Sequence, residues 1–419
     1  MQLEAAPRGS RLRTRLGAAA CLLLASSAAH AQAPDSTANT LEASTLLYGE
    51  NKRTNVLEPA ARFTHLFGGG QILSAELGLD VMTGATPTGA RASNQVQTVT
   101  SASGSTSTSG TEIPTAHFKD ARGVFDLGLQ TPLGRLLRAE AGAHVSREKD
   151  YRSLGGTARL SADLFQRLVT VSAGGGYDDD GVFPVGGTPE GLTIDRGVVR
   201  YDVQPKRVET ATVGISRILT RRWMVSLDAS RTRERGYLTE PYKIVTIVTS
   251  EEGIPVATVT EKRPATRVRR SLLGSSVYHL EKDILYLTYR YYWDDWGLRS
   301  HTADARYRIE LPAETFLQPH VRFYTQSAAD LFTFGLRDDQ PLPPYASSDQ
   351  RLGPLRSVTL GATVGFRVPS QPGRFTLRAE WIHQWGRVGT AGGIQSGPPV
   401  DLFPPLEIGT LVAGYSVGF

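Results

Sequence analysis

Apolar and polar residues alternate with a period of two along several stretches of this chain. The alternation is clear in residues 73–81, 137–146 and 284–295. In residues 356–368 the apolar positions are Val358, Leu360, Ala362, Val364, Phe366 and Val368. This pattern predicts β-strands with one apolar face. At about 11–14 residues the strands exceed the 5–6 residues usual in soluble proteins, which favours a membrane-spanning barrel over a soluble sandwich.

The breaks between these strands are of two kinds, short and long. Short breaks rich in polar residues, glycine or proline occur at 68–70, 131–134, 165–167, 220–222, 281–283, 312–314 and 369–373. Long connections occupy 83–117, 179–203, 235–267, 328–354 and 388–405. Short periplasmic turns and long extracellular loops are typical of outer-membrane barrels. With both termini on the side of the short turns, the sequence predicts an all-β, transmembrane, antiparallel barrel of about 16 strands, with 14 as the alternative.

The aromatic and C-terminal residues agree with this prediction. Alternation continues to the end of the chain at Leu411, Ala413, Tyr415, Val417 and Phe419. The segment resembles the C-terminal strand by which barrel-assembly machinery recognises its clients, so we expect that machinery as a partner. Tryptophans form girdles at both membrane interfaces of such barrels. We expect Trp223 near the periplasmic interface and three others near the extracellular one, namely Trp293, Trp296 and Trp385.

Residues 1–31 have the pattern of a secretory signal peptide. Four arginines precede an apolar stretch at 16–29, and Ala29-His30-Ala31 predicts cleavage after Ala31. The mature chain, 32–419, is then a single barrel domain that is exported through the periplasm to the bacterial outer membrane. The one cysteine, Cys21, lies in the signal, so a disulfide framework is excluded. A lipoprotein anchored through Cys21 is the alternative.

The charge of the chain changes once the signal is removed. The full sequence carries a net charge of +5 at pH 7 and has a pI near 9.2, which by itself suggests nucleic-acid binding. The signal takes four arginines and one glutamate, which leaves 42 basic and 40 acidic residues. We therefore expect no nucleic-acid partner, and we expect outer-membrane lipid around the barrel.

Several longer blocks of sequence are similar to those of a known family. They are LDVMTGATPTGA at 79–90, DYRSLG at 150–155, GYLTEPYK at 236–243 and YRYYWDDWGLRSHT at 289–302. The chain resembles the domain of unknown function 3570 family of bacterial outer-membrane β-barrel proteins over nearly all of its mature length. The resemblance implies the fold and the location, and it brings no established activity. Through the usual neighbours of the family, flavin-transferase and thioredoxin-like proteins, it also implies an extracytoplasmic redox system as a partner.

Polar residues concentrate on the predicted inward faces of the strands between 284 and 326. The candidate lumen or binding residues are Arg290, Asp294, Asp304, Arg306, His320 and Arg322. The simpler interpretation is that they form ion pairs and hydrogen bonds that brace a water-accessible lumen. The alternative is a solute-binding or selectivity constriction, because rings of charged side chains tune pore selectivity. Charges of both signs argue against strong selectivity for anions or for cations.

A rim motif follows the same strands and consists of Asp295, Trp296 and His301, next to Asp294. Two carboxylates and an imidazole could activate water in a hydrolase or bind a divalent metal ion. However, a period of two sends Asp294 inward and Asp295 outward, so a turn capped by aspartates is the simpler interpretation. We predict no catalytic residue, no metal site and no cofactor.

Two other segments are expected to be solvated extracellular loops. The acidic run Asp178-Asp179-Asp180 begins one of them, with calcium binding as the alternative. Residues 93–111 are of low complexity and lack the apolar surface that would offset the entropy of ordering them, so we expect a mobile loop.

Three hypotheses about function follow from the sequence. The first is a porin-like channel or transporter for small polar solutes, supported by the polar inward faces. The second is a closed barrel that docks periplasmic or surface partners, such as the redox system named above. The third is an outer-membrane hydrolase that uses rim residues such as Asp294 and His301.

Overall fold

The computed structural model describes residues 39–51, 53–91, 97–100, 106–109, 114–193, 198–390 and 399–419, with only the backbone of 97–100 and 106–109. The predicted signal peptide and its cleavage site lie outside these residues. So does most of the low-complexity segment 93–111, in which Gln97–Thr100 pairs with Thr106–Ser109. Within the described ranges, no helix is long and apolar enough to cross a membrane.

Sixteen antiparallel strands form a closed barrel in which neighbours in sequence are neighbours in space, so the predicted number of 16 is confirmed and 14 is wrong. The strands are β1 (Asn39–Glu50), β2 (Thr54–Leu66), β3 (Ile72–Pro87), β4 (Thr115–Leu133), β5 (Leu137–Arg147), β6 (Tyr151–Leu164), β7 (Val169–Val182), β8 (Gln204–Thr220), β9 (Trp223–Gly236), β10 (Thr266–His279), β11 (Ile284–Asp294), β12 (Arg299–Leu311), β13 (Thr315–Gln326), β14 (Leu355–Arg367), β15 (Arg374–Gly386) and β16 (Leu406–Gly418).

The barrel closes where its first strand meets its last. β1 pairs with β16 from Thr40 opposite Gly418 to Glu50 opposite Ile408. At the end of this seam the backbone N–H of Phe419 donates to the carbonyl of Asn39 at 2.9 Å, and the N–H of Asn39 donates to the carbonyl of Phe419 at 3.0 Å. Closure leaves the barrel without a free strand edge, which a sheet surrounded by hydrocarbon requires.

The alternation of the sequence determines which face each side chain takes. On β14, Leu360 is 49% exposed on the outer surface, whereas the neighbouring Thr359 is 3% exposed and points inward. Leucine, valine and phenylalanine side chains occupy the same outward positions on other strands, including Leu77, Phe125, Leu160, Val213, Leu227, Val321 and Leu377. Such residues form an exterior apolar belt, the surface that a membrane barrel presents to lipid.

Turns and loops divide between the two ends of the barrel as predicted. The seven turns at the end that carries both termini are short, at 67–71, 134–136, 165–168, 221–222, 280–283, 312–314 and 368–373. Three connections at the other end are also short, at 51–53, 148–150 and 295–298. The remaining five are long, at 88–114, 183–203, 237–265, 327–354 and 387–405. The end with the long loops is the extracellular one.

The structure corrects the expectation for Asp178-Asp179-Asp180. These residues belong to β7, and the loop starts only at Phe183. Asp180 is buried inside the barrel, whereas Asp179 lies on the exposed outer surface, 4.0 Å from Arg207 of β8. The acidic run resembles a loop because barrel strands admit charge on the inward face and again on the outer face beyond the apolar belt.

The tryptophans follow the predicted girdles with one exception. Trp223 is exposed beside the periplasmic turn at 221–222. At the extracellular end, the ring of Trp293 stacks on Tyr291 at 5.3 Å and that of Trp385 on His383 at 5.1 Å. The prediction for Trp296 is wrong, because this residue is 5% exposed and its Nε1–H donates to the carbonyl of Thr266 at 2.9 Å.

Two long loops, 237–265 and 327–354, pack together over the extracellular mouth, and we call them the cap. Strand Ile244–Val248 of the first loop pairs antiparallel with Pro255–Thr260 and parallel with Leu336–Arg337 of the second. The cap also binds neighbouring loops around the rim. The N–H of Ile244 donates to the carbonyl of Thr88 at 2.9 Å. A buried apolar cluster joins the cap to the loop before β16 through Val248, Val400, Leu402 and Phe403.

Leu227→Arg is expected to destabilise the folded barrel by about 2–4 kcal/mol, because Leu227 points outward from β9 into the hydrocarbon region. Ser226→Arg, one residue earlier and facing the lumen, is the matched control and is expected to cost much less. Urea titrations of folding into lipid vesicles, read by heat-dependent gel mobility, measure both. Equal losses at the two positions would contradict the assignment of faces.

Candidate functional site

A network of charged side chains crosses the inner wall of the barrel on strands β12 to β15. Asp304 is its centre, since one carboxylate oxygen lies 2.7 Å from His320 Nε2 and accepts from Arg322 Nε at 2.8 Å. Arg306 Nε approaches the other oxygen at 3.4 Å. On its far side, His320 Nδ1 lies 2.9 Å from Glu380 of β15. We call these five residues the Asp304 network.

The network depends on a glycine. His320 of β13 and Glu380 of β15 both pair with Gly361 of β14, the strand between them. A Cβ atom at Gly361 would lie 2.6 Å from Cγ of Glu380 and 2.7 Å from the carbonyl oxygen of Ala379. The missing side chain therefore leaves the slot through which the imidazole and the carboxylate meet across an intervening strand.

The structure thus brings together four of the six candidate lumen residues and adds Glu380. Sequence reasoning missed this glutamate, although the alternation of Leu377, Ala379 and Trp381 on the outer face already assigns it to the inner face. Arg290 also points inward, and its guanidinium lies 5.8 Å from the ring centre of Tyr292.

Asp294, the sixth candidate, holds the turn between β11 and β12. One carboxylate oxygen accepts from the backbone N–H groups of Trp296 and Leu298, both at 3.0 Å. The other accepts from Arg267 Nε at 2.9 Å and from the hydroxyl of Tyr292 at 2.8 Å. Four residues thus donate to the carboxylate, Arg267 through two nitrogens, and this arrangement supports a structural role.

The remaining rim residues do not converge on Asp294. Asp295 is exposed and accepts from the backbone N–H of Val268 at 2.8 Å. His301 lies on the outer surface, where its Nδ1 is 2.6 Å from the hydroxyl of Tyr289 and its ring is 5.0 Å from that of Tyr291. Because Asp294 points inward and His301 outward, the two do not form the acid–base pair that the hydrolase hypothesis needs.

A second cluster of charges is buried inside the cap, where sequence reasoning placed no site. Arg263 bridges two carboxylates, with Nε 2.5 Å from Glu261 and a terminal nitrogen 2.7 Å from Asp349. Arg351 Nε donates to Asp349 at 2.8 Å. Together with Glu240 and Lys243 these residues form the cap cluster, three cations and three anions. Glu261 is 0% exposed and Asp349 is 1% exposed, so the charges depend on one another for compensation.

Burial and neighbouring charge shift the pKa values in the cap cluster. Burial lowers the pKa of the Lys243 ammonium from its ordinary value of 10.5 to about 8. Burial also raises the pKa of Glu261, even though Arg263 lies beside it. For Asp349 burial acts in the same direction, but the charges of Arg351, Lys243 and Arg263 outweigh it and hold its pKa well below the usual range.

A polar cavity connects the cap cluster to the Asp304 network. From the cap, Lys243, Asp349 and Arg351 line it, and from the barrel wall Arg322, Thr302 and Thr359 do so. Glu50, at the end of β1, and Arg53, in the connection before β2, also line it. The lining carries four basic and two acidic side chains, so a small polar solute inside would meet hydrogen-bonding groups of both signs.

Three carboxylates also meet near the extracellular turn between β5 and β6. Oxygens of Asp120, Glu148 and Asp150 lie within 4.8 Å of one another. Arg122 Nε lies 4.0 Å from Glu148, and the hydroxyl of Tyr242 donates to Asp150 at 2.9 Å. These neighbours supply positive charge and a donor, so the cluster is accounted for as an ion-pair network that ties the cap residue Tyr242 to the rim.

A closed barrel with an apolar exterior and long loops at one end defines an outer-membrane β-barrel protein. The chain belongs to the family described as protein of unknown function (DUF3570), whose model matches residues 13–402. The resemblance seen in the sequence is therefore confirmed. Among curated proteins no relative was found.

Several solved outer-membrane proteins are similar to this chain. The ferric enterobactin receptor PfeA from Pseudomonas aeruginosa matches with a TM-score of 0.44 and 10% identity, over 90% of this chain and 60% of that one. The Pseudomonas putida toluene transporter TodX matches with a TM-score of 0.40 and 10% identity, over 92% and 90%. The outer membrane protein OpdK from Pseudomonas aeruginosa matches with a TM-score of 0.41 and 8% identity, over 91% and 98%. The chain spans about 60% of the length of the receptor. At this level the likeness carries no information about substrate.

Gly361→Ala is expected to destabilise the barrel by about 1–3 kcal/mol, because the added methyl group overlaps a backbone oxygen and pushes Glu380 away from His320. Gly409→Ala is the matched control, since a Cβ atom on that barrel strand meets nothing within 4 Å. Denaturant unfolding of the two variants in the same detergent gives the comparison. If both variants unfold at the same denaturant concentration as the unsubstituted protein, the slot at Gly361 does not contribute to the stability of the barrel.

Proposed function

We propose that this protein is a gated channel or transporter for small polar solutes. The observation that carries the proposal is the polar cavity between the cap cluster and the Asp304 network. A barrel that served only as a rigid scaffold has no need of a hydrogen-bonding chamber below its mouth. Below the cap, a passing solute would exchange its hydration shell for side chains such as Arg322, Thr302 and Thr359.

In this proposal the cap is the gate. It hydrogen-bonds to loops from separate parts of the rim, through Ile244 to Thr88 and through Leu192 to Thr260, at 2.9 and 2.8 Å. Lys243 reaches down to the carbonyl of Pro87 at the end of β3. Opening the cap would expose six charges that are balanced inside it. Their mutual compensation is therefore the term that sets the equilibrium between the closed and the open gate.

Asp349→Asn is expected to raise the open fraction of the gate by at least about 100-fold. The substitution leaves the largely buried Arg263 and the partly buried Arg351 with one carboxylate fewer, at a cost of about 3–5 kcal/mol to the closed form. Asp339→Asn in the same loop is the control, because Asp339 forms a surface pair with Arg337, and pairs at the surface contribute little to the stability of a fold.

Single-channel current across a planar lipid bilayer is the measurement for both variants and for the unsubstituted barrel. The proposal expects rare openings from the unsubstituted protein and from Asp339→Asn, and frequent openings from Asp349→Asn. A correctly folded Asp349→Asn barrel that passes no current above the empty bilayer would exclude a channel gated by this cap.

The open fraction should also fall as pH rises from about 8 to 10.5. Lys243 has a pKa of about 8 in the closed cap and regains 10.5 in water, so closing releases a proton in this range and is favoured by alkali. This one group changes the ratio of open to closed gate by at most about tenfold per pH unit. Lys243→Gln removes the titrating amine. The difference between the pH profiles of the variant and the unsubstituted protein therefore separates the effect of Lys243 from that of the charged neighbours Glu240, Glu261, Asp349 and Arg351. Parallel profiles would contradict the role of Lys243.

A closed scaffold that docks periplasmic or surface partners is the second candidate. The observation in its favour is the cap itself, which closes the mouth in this conformation. Mild detergent extraction and affinity purification from native membranes test it. A stoichiometric partner, for example from an extracytoplasmic redox system, together with a silent bilayer would favour docking. Current without any partner would favour the channel.

A further inference from the structure

Arginine is concentrated on one part of the barrel exterior, at the extracellular ends of strands β5 to β10. The outward side chains there are Arg147, Arg152, Arg207, Arg231, Arg233, Arg235 and Arg270. All are exposed except Arg270, which is half-buried. The same surface carries two outward carboxylates, Asp179 and Glu209. We call this surface the arginine band.

The members of the band form cross-strand pairs on both sides of β7, although Arg152 itself faces Gly181 of that strand. Arg147 pairs with Arg152 across β5 and β6. Arg207 pairs with Asp179 on one side and with Arg235 on the other. From there the band crosses to β10, where Arg231 pairs with Arg270. Directly opposite residues lie about 4.5–5.5 Å apart, so several guanidinium groups can reach one ligand.

The band lies at the upper boundary of the apolar belt. On β9 the outward residues Leu227 and Ala229 are apolar, and the next outward residue, two positions further along the strand, is Arg231. On β5 they change from Val145 to Arg147 in the same way. One such step is about 6–7 Å, so the guanidinium groups begin where the hydrocarbon ends.

The charges of the band are only partly balanced by protein groups. Arg207 lies 4.0 Å from Asp179 and Arg235 lies 3.6 Å from Glu209, and all four side chains are about half exposed or more. Exposed ion pairs of this kind contribute little to the stability of the fold. Within the described part of the chain, the other five arginines of the band make no ion pair with a carboxylate.

The rest of the barrel circumference is different at this height. On the described strands β1 to β4 and β11 to β16, the charged outward residues near the extracellular boundary are scattered, namely Lys119, Arg299, Arg356 and Glu407. General solubility or general membrane attraction would not concentrate seven outward arginines on five of the six adjacent strands β5 to β10.

We propose that the arginine band binds the phosphate groups of lipid A, the phosphorylated glycolipid of the outer leaflet. Its phosphates lie at the boundary between hydrocarbon and saccharide, the height at which the band begins. Guanidinium groups match phosphate oxygens in a bidentate geometry, and they keep their charge at any physiological pH. The acyl chains of the same lipid would pack on Leu227, Val213 and Leu272 below the band.

The test compares two triple variants of the detergent-solubilised barrel. The substitutions Arg231→Gln, Arg233→Gln and Arg235→Gln remove the centre of the band. The control substitutions Arg217→Gln, Arg221→Gln and Arg222→Gln remove three exposed arginines at the periplasmic end of β8 and β9. Native mass spectrometry measures binding of diphosphorylated lipid A, of the same lipid without phosphates, and of inorganic phosphate.

The proposal expects the band variant to bind diphosphorylated lipid A at least about tenfold more weakly, and the control variant to bind as the unsubstituted barrel does. It also expects the dephosphorylated lipid to bind all three proteins equally weakly. Equal losses in both variants, no preference for the phosphorylated lipid, or equally tight binding of inorganic phosphate would each overturn it. If the band variant fails to show heat-dependent mobility, the pair Arg207→Gln and Arg270→Gln replaces it.

Discussion

The rest of the structure depends on one constraint, the hydrogen bonding of a backbone that has no water around it. Each N–H and C=O group in the hydrocarbon layer needs a partner within the protein, and only a closed sheet provides one for every strand. Closure then fixes the alternation of faces, because successive side chains of a strand point to opposite sides. Lipid meets the apolar belt of the outward set, whereas the charges of the Asp304 network belong to the inward set. Charged groups are therefore concentrated in the lumen, in the loops and at the two ends of the barrel.

Within those limits the protein places its charges in compensating groups. The Asp304 network and the cap cluster each combine arginines with carboxylates, and a polar cavity separates them. Removing one member of a buried group costs more than the group contributes to stability as a whole, because the members left behind remain buried without compensation. Such groups favour a definite closed conformation and make its release depend on a few side chains. This is the physical basis of the proposal that the cap is a gate and the lumen below it a passage.

Much of the fold could be predicted from the sequence, because period-two alternation is a direct consequence of lipid on one side. The inward positions of Asp304, His320 and Arg322 followed from it. The contact between His320 and Glu380 could not be predicted from the alternation. It depends on the pairing of both residues with Gly361, whose missing side chain leaves a slot between them.

The errors have equally specific causes. Asp178-Asp179-Asp180 was placed in a loop because an acidic run carries no apolar alternation, although it continues a strand. The girdle position predicted for Trp296 is wrong because the turn at 295–298 folds inward. The cap cluster could not be predicted at all, since Lys243, Glu261 and Asp349 come from loops without periodicity that meet only in three dimensions.

The seam between β1 and β16, which ends at Asn39 and Phe419, has a consequence for how the barrel folds. Every other strand pair of the barrel joins neighbours in the sequence, but this one joins β1 to β16, so the barrel cannot close until all sixteen strands are available to pair. Contacts of such long sequence separation are slow to form. Until then the sheet has two open edges and an apolar exterior, a state prone to aggregation. Pairing of β1 with β16 is therefore the step that removes the last free edges of the sheet, and the unclosed sheet is the form most exposed to aggregation.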